Sequence, residues 1–137
     1  MPDHTISVVL DTNLFIAAYW AKSSASARLV RACVEGRIRA CYTAEVRREV
    51  DRMLRTIRIP TSYVESLQPF WAGATEVSPA NVDDIHIDDP EDRKFLEAAM
   101  GANADYLVTN DDHLLRVGYV GRAEIITPGS LARVVGV

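Results

Sequence analysis

The sequence predicts an α/β domain with a mainly parallel central sheet and helices on both faces. Short β-branched, apolar runs alternate with segments whose apolar residues recur at helical spacing. Several of these runs end directly in helix-capping residues, so strand passes to helix with little loop between. Nothing in the 137 residues repeats or reads as a linker, and residues 1–137 are expected to form one domain around one core.

Ile6-Ser7-Val8-Val9-Leu10 is the first expected strand, apolar enough to be buried on both faces. Asp11-Thr12-Asn13 then supplies cap and turn residues ahead of Leu14 to Ala18. Ser23 to Ser26 can cap a second helix carrying Leu29, Val30, Cys33 and Val34, with Gly36 as its stop. Ile38 to Tyr42 reads as a strand. Thr43 caps a helix whose apolar stripe is Val46, Val50, Met53 and Leu54. Pro60 and Thr61 open one further helix with Tyr63, Val64, Leu67 and Phe70, which Pro69 is expected to cut short. After a short strand over Thr75 to Val77, Ser78 to Asp89 has the composition of a loop, with Pro79, Asn81 and four aspartates. Pro90 fits the first position of a helix running through Phe95, Leu96, Ala98, Ala99 and Met100 to Gly101. Asp105 to Val108 is a strand, Thr109 to Asp112 a polar turn and His113 to Arg116 a short helix. Glu124 to Thr127 is the last strand and Pro128 to Val135 the last helix. Right-handed crossovers would bring the strand carboxyl ends to one edge, the edge at which open α/β sheets bind ligands.

Apolar residues make up 48% and charged residues 25%, which excludes a disordered chain. The longest apolar stretches, Ile6 to Leu10 and Leu14 to Trp20, are too short to span a bilayer. Met1-Pro2-Asp3-His4 lacks the basic-then-apolar start of a secretory signal. Cys33 and Cys41, eight apart without CxxC or Cys/His spacing, are expected as ordinary half-buried thiols of a reducing cytosol. The net charge of −4 is unfavourable for a nucleic-acid binder taken as a sum. Its distribution is more informative: nine arginines against four acids lie between Arg28 and Arg58, and six acids with no lysine or arginine between Asp83 and Asp92. Divalent metal on the acidic part would offset the repulsion met by a polyanion.

Asp11 follows the first strand and Asp111 lies just beyond the strand ending at Val108, so both belong to one sheet edge. Asp92 lies in the first turn of its helix, facing the same edge. Glu49 borders the apolar stripe of its helix. Four carboxylates from four parts of the chain are thus expected to converge; without a cation they would raise one another's pKa. All-oxygen donors suit Mg²⁺ or Mn²⁺. His4, His86 and His113 lack metal-ligand spacing and read as surface or loop histidines. No GxSxG elbow and no phosphate-cradling glycine loop is present. Trp20, Trp71 and Tyr119 are expected in or half in the core.

Four segments together resemble the PIN domain: Val8-Val9-Leu10-Asp11-Thr12-Asn13, Glu45-Val46-Arg47-Arg48-Glu49-Val50, Asp89-Pro90-Glu91-Asp92 with Arg93 to Ala99, and Ala104-Asp105-Tyr106-Leu107-Val108-Thr109-Asn110-Asp111. The likeness covers essentially the whole chain, and its closest flavour is the bacterial and archaeal branch of VapC-like toxins of toxin–antitoxin pairs. It implies a Rossmann-like α/β/α sandwich and Mg²⁺- or Mn²⁺-dependent hydrolysis of RNA. Asp11, Glu49, Asp92 and Asp111 fall on the family's acidic positions, with Asp11, Asp92 and Asp111 as metal ligands and Glu49 as a ligand or an orienter of water. Thr12, Asn13 and Thr109 fall on polar supporting positions, and Asp89 and Asp112 are nearby acids that can act through water. Arg47, Arg48 and Arg52 are the expected contacts to the RNA backbone. A cytoplasmic homodimer and a cognate antitoxin complete what the resemblance implies. The alternative is a catalytically idle PIN domain serving as an RNA- or protein-binding module. A phosphatase with an aspartyl nucleophile calls for Asp-x-Asp after the first strand, where this chain has Asn13.

Overall fold

The computed structural model describes residues 5–137, so His4 lies outside the described residues. Strands β1 (Ser7–Leu10), β2 (Arg39–Tyr42), β3 (Thr75–Glu76), β4 (Tyr106–Val108), β5 (Tyr119–Val120) and β6 (Ala123–Ile126) form one six-stranded sheet in the order β3-β2-β1-β4-β6-β5. All pairings are parallel except that of β5 with β6. Helices α1 (Thr12–Trp20), α2 (Ala25–Val34), α3 (Ala44–Thr56), α4 (Thr61–Ser66), α5 (Gln68–Gly73), α6 (Arg93–Ala102), α7 (Asp112–Val117) and α8 (Pro128–Val135) connect them. The connection from β1 to β2 runs one way across the sheet and that from β3 to β4 runs back. Right-handed crossovers therefore place α1 and α2 on one face and α6 on the other. In keeping with this, α2 packs on α1, α5 and α8, whereas α6 packs on β1, β2 and β4. The mostly parallel sheet with flanking helices is the α/β arrangement the sequence predicts.

Strand order reverses between β1 and β4, so the crevice beyond their carboxyl ends is the switch point at which such sheets accept ligands. Val8, Val9, Leu107 and Val108 are wholly buried there, which makes the scaffold under that crevice stiff. At the opposite edge Asp105 accepts from Ser7 N at 2.8 Å and pairs with Arg122, lashing β1, β4 and the β5–β6 turn together. Phe15 stacks on Trp71 with centroids 5.6 Å apart and meets Phe70 edge-on at 5.1 Å, so α1 and α5 share one aromatic core.

Four expectations are corrected, and one strand is added to those the sequence predicts. Pro69 does not end a helix; it sits in the first turn of α5, where its missing N–H costs nothing, and α4 stops before it. Strand β5, bracketed by Gly118 (φ +84°) and Gly121 (φ +59°), was not expected, because two residues carry no readable period. Trp20 and Tyr119 are exposed at 70% and 62%, and only Trp71 of the three aromatics is buried. Gly101 does not stop α6, which continues to Ala102 and is capped by left-handed Asn103 (φ 49°). Its role is steric, since a Cβ at Gly101 would lie 2.0 Å from the Ser78 carbonyl oxygen. Gly101→Ala should therefore lower stability by roughly 3 kcal/mol in urea unfolding, an overpacking cost. The free cysteines Cys33 and Cys41 are buried rather than half-buried.

Candidate functional site

Asp11 N donates to the Val108 carbonyl at 3.0 Å, carrying the β1–β4 ladder one step past the strand before the chain turns into α1. Asp11 is the N-cap of that helix and is only 6% exposed. A carboxylate so placed needs donors. Thr109 Oγ1 donates to Oδ2 at 2.6 Å and Asn13 N to Oδ1 at 3.4 Å. Burial still holds its pKa above the ordinary 3.8, against the pull of the Thr109 bond. Thr109 is wholly buried, and its hydroxyl also accepts from Asp111 N at 2.9 Å. One hydroxyl thus fixes the exits of β1 and β4 against each other.

Asp111 is the N-cap of α7, accepting from His113 N at 2.7 Å. Asp89 caps the 3₁₀ turn Pro90–Asp92 that leads into α6, accepting from Glu91 N at 3.0 Å. The turn ends on Asp92, which is 8% exposed and whose Oδ2 has no hydrogen-bond partner among the described residues. Burial, then the charges of Asp111, Asp89 and Asp11, push its pKa up to about 6, with His113 pulling it down. Donor atoms of Asp92, Asp111 and His113 all lie within 4.8 Å of one another. A buried, unpartnered carboxylate oxygen among like charges is what a cation would satisfy, so the donor set fits a divalent metal. Thr12 Oγ1 on α1 is buried and unpartnered as well.

The structure thus gathers Asp92 and Asp111 with His113, and sets Asp11 and Asp89 close enough for their charges to act on Asp92. It does not add Glu49 to that group. Glu49 Oε1 pairs with Arg52 and lies 3.7 Å from Lys94 Nζ. Lys94 is 8% exposed and also donates to the Glu91 carbonyl at 3.0 Å. A half-buried carboxylate beside a buried cation is held by it, because each offsets the other's desolvation. Asn13 and Asp112 are exposed. Arg48 and Arg52 line a groove of about 540 Å³ together with Arg55, Lys94, Glu49 and Glu91, but Arg47 does not. The Arg47 guanidinium instead lies over the Trp71 ring, 4.8 Å from its centroid.

Two residues were missed. His113 is exposed as expected, yet it belongs beside Asp92 and Asp111; the signal was its place two residues after Asp111 at a helix start. Lys94 has no role in the sequence reading, and its position next to Phe95 on the buried side of α6 is the available sign. His86 lies elsewhere, pairing with Asp88 at 3.0 Å.

The family described as PIN domain matches residues 7–113. Among solved structures, VapBC2 from Rickettsia felis, crystallised bound to a DNA fragment from their promoter, is similar with a TM-score of 0.64 at 13% identity, covering 89% of this chain and 98% of that one. PAE2754 from Pyrobaculum aerophilum is similar with a TM-score of 0.60 at 12% identity, covering 96% of this chain and 90% of that one. At these identities the likeness is one of fold. No curated protein matches the chain. PIN domains are generally nucleases that use divalent metals, and an acidic cluster stands at the sheet edge here. With the matched region running from β1 to the start of α7, the chain belongs to the PIN-domain family.

Proposed function

We propose that this chain is a metal-dependent endoribonuclease and the toxin of a toxin–antitoxin pair. The observation that carries the catalytic part is Asp92 Oδ2, buried and unpartnered among the charges of Asp11, Asp89 and Asp111. Mg²⁺ or Mn²⁺, held by Asp11, Asp92 and Asp111, would acidify a water and neutralise charge on the phosphate oxygens. The chain's own residues do the rest. Thr109 keeps Asp11 and Asp111 in fixed relation by donating to one and accepting from the backbone of the other. Burial of Asp11 and Asp92 keeps competing water from these carboxylates. Glu49, restrained by Arg52 and Lys94 at the groove, would act by orienting a water and not as a metal ligand. Asp89 and Asp112, both exposed, act through water. The toxin assignment is supported by the sequence likeness to VapC-like proteins and by the fold shared with VapBC2; a cognate antitoxin, a homodimer and a cytoplasmic location go with it. Among the described residues no helix is long and apolar enough to cross a membrane.

The test is cleavage. Single-stranded RNA incubated with the purified protein and Mn²⁺ should be cut, and EDTA should stop the cutting; EDTA-resistant cleavage would overturn the proposal. RNA contact is assigned to the groove basics. Alanine at both Arg48 and Arg52 should reduce the slope of log affinity against log salt by about 1.4, roughly 0.7 for each lost phosphate contact. Arg47→Ala should leave that slope unchanged and lower stability by about 0.5–1 kcal/mol, because its guanidinium is on Trp71.

A further inference from the structure

We infer that His113 supplies an imidazole nitrogen to the cation held by Asp92 and Asp111, and that this site therefore selects a transition-metal ion such as Mn²⁺ over Mg²⁺. The inference rests on the metal-dependent reading above and goes beyond it in naming a nitrogen ligand and the metal class. Three side chains present donor atoms within 4.8 Å of one another: two carboxylates and an imidazole. The cluster alone would be an ordinary group of surface acids. The independent sign of a ligand is Asp92, 8% exposed, with an oxygen that meets no donor among the described residues.

His113 is held in place for this role by the fold. Its backbone N donates to Asp111 Oδ1 at 2.7 Å, so the cap that starts α7 also sets the imidazole beside the carboxylate. Nδ1 lies 4.0 Å from that same oxygen, too long for a hydrogen bond, and the ring is not committed to Asp111. The other neighbouring charges, Asp11 and Asp89, are anionic and add to the attraction for a cation. Mg²⁺ takes oxygen ligands in near-ideal octahedral geometry and keeps its waters, whereas imidazole suits first-row transition metals. One nitrogen in an otherwise oxygen set thus shifts preference toward the transition metal.

The test uses the intact protein with Mn²⁺ as probe and spectroscopy as readout. Electron spin-echo modulation of bound Mn²⁺ should show ¹⁴N coupling from one imidazole in the wild type and none in His113→Ala or His113→Gln. Calorimetry should show Mn²⁺ affinity falling about tenfold in both variants, with Mg²⁺ affinity shifted by less than about twofold. Mn²⁺ that binds with no nitrogen coupling, or with coupling that persists in both variants, overturns the inference and leaves the metal centre standing. Absence of any Mn²⁺ binding overturns both. The two variants differ in size, and circular dichroism reports whether either is misfolded; the wild-type spectrum decides the point without them.

Discussion

Asp92→Asn should lower RNA cleavage on the order of a hundred- to a thousandfold while making the metal-free protein more stable. The two effects have one cause. Asp92 is a buried carboxylate with an unpartnered oxygen facing the charges of Asp111, Asp89 and Asp11, and its pKa stands near 6. A neutral amide removes the repulsion, so the folded state gains at neutral pH. It is also a far poorer ligand for a hard cation, and the lost charge stabilisation at the phosphate has the size seen when one preorganised electrostatic partner is removed. Denaturant unfolding with EDTA present reads the first effect and a cleavage assay the second. A variant that is slower and also less stable would show that Asp92 is structural. Asp11→Asn should lose cleavage to a similar extent without the stability gain, because Asp11 already has the Thr109 hydroxyl and the Asn13 N–H.

Mn²⁺ at a hundred times its dissociation constant should stabilise the protein by about 2.7 kcal/mol, on the order of 8 °C in melting temperature for a chain of this size. This increment should depend on pH in a stated direction. The folded-state pKa of Asp92, about 6, lies above its ordinary 3.8. The metal-free fold therefore binds the proton more tightly than the unfolded chain does. Its stability contribution from this group is fully present below about pH 4 and is lost as pH rises through 6. Metal needs the deprotonated carboxylate, so its effect runs the other way: large above pH 6 and shrinking toward pH 4. Thermal melts with Mn²⁺ or EDTA at pH 4.5, 6 and 7.5 should diverge progressively. Parallel curves would mean that the ion binds away from Asp92.

How much of this was legible in the sequence depended on distance along the chain. Asp11 and Asp111 stand next to β1 and β4, so the strand pattern placed them, and the switch point followed from topology alone. Asp92 was legible through Pro90, which fixes where the helical turn begins. Glu49 was placed on the right helix and the right border of its apolar stripe, and pairing with Arg52, three residues on, is readable from spacing, but its second partner is not. Lys94 comes from α6, 45 positions away, and only packing of α3 against α6 brings it to Glu49. Arg47 and Arg48 are neighbours in sequence and point apart on the helix, one to Trp71 and one to the groove. His113 escaped because its partner Asp92 is 21 positions away and no linear ligand spacing joins them. Gly101 carried a stop signal that the fold uses instead for a close approach of the Ser78 backbone.

The measurement that bears most directly on the account is the chemistry of the product ends. Water attacking phosphorus from outside, in line with the 3′ oxygen as leaving group, would leave 5′-phosphate and 3′-hydroxyl ends if the proposed site of Asp11, Asp92 and Asp111 does the cutting. RNA cut by the wild-type protein in Mn²⁺ should therefore be ligatable at its 5′ ends without prior phosphorylation, and Asp111→Asn should yield almost no such product. A 2′,3′-cyclic phosphate would mean that the RNA's own hydroxyl was the nucleophile, and equal cutting by wild type and Asp111→Asn would mean that these carboxylates are not the site.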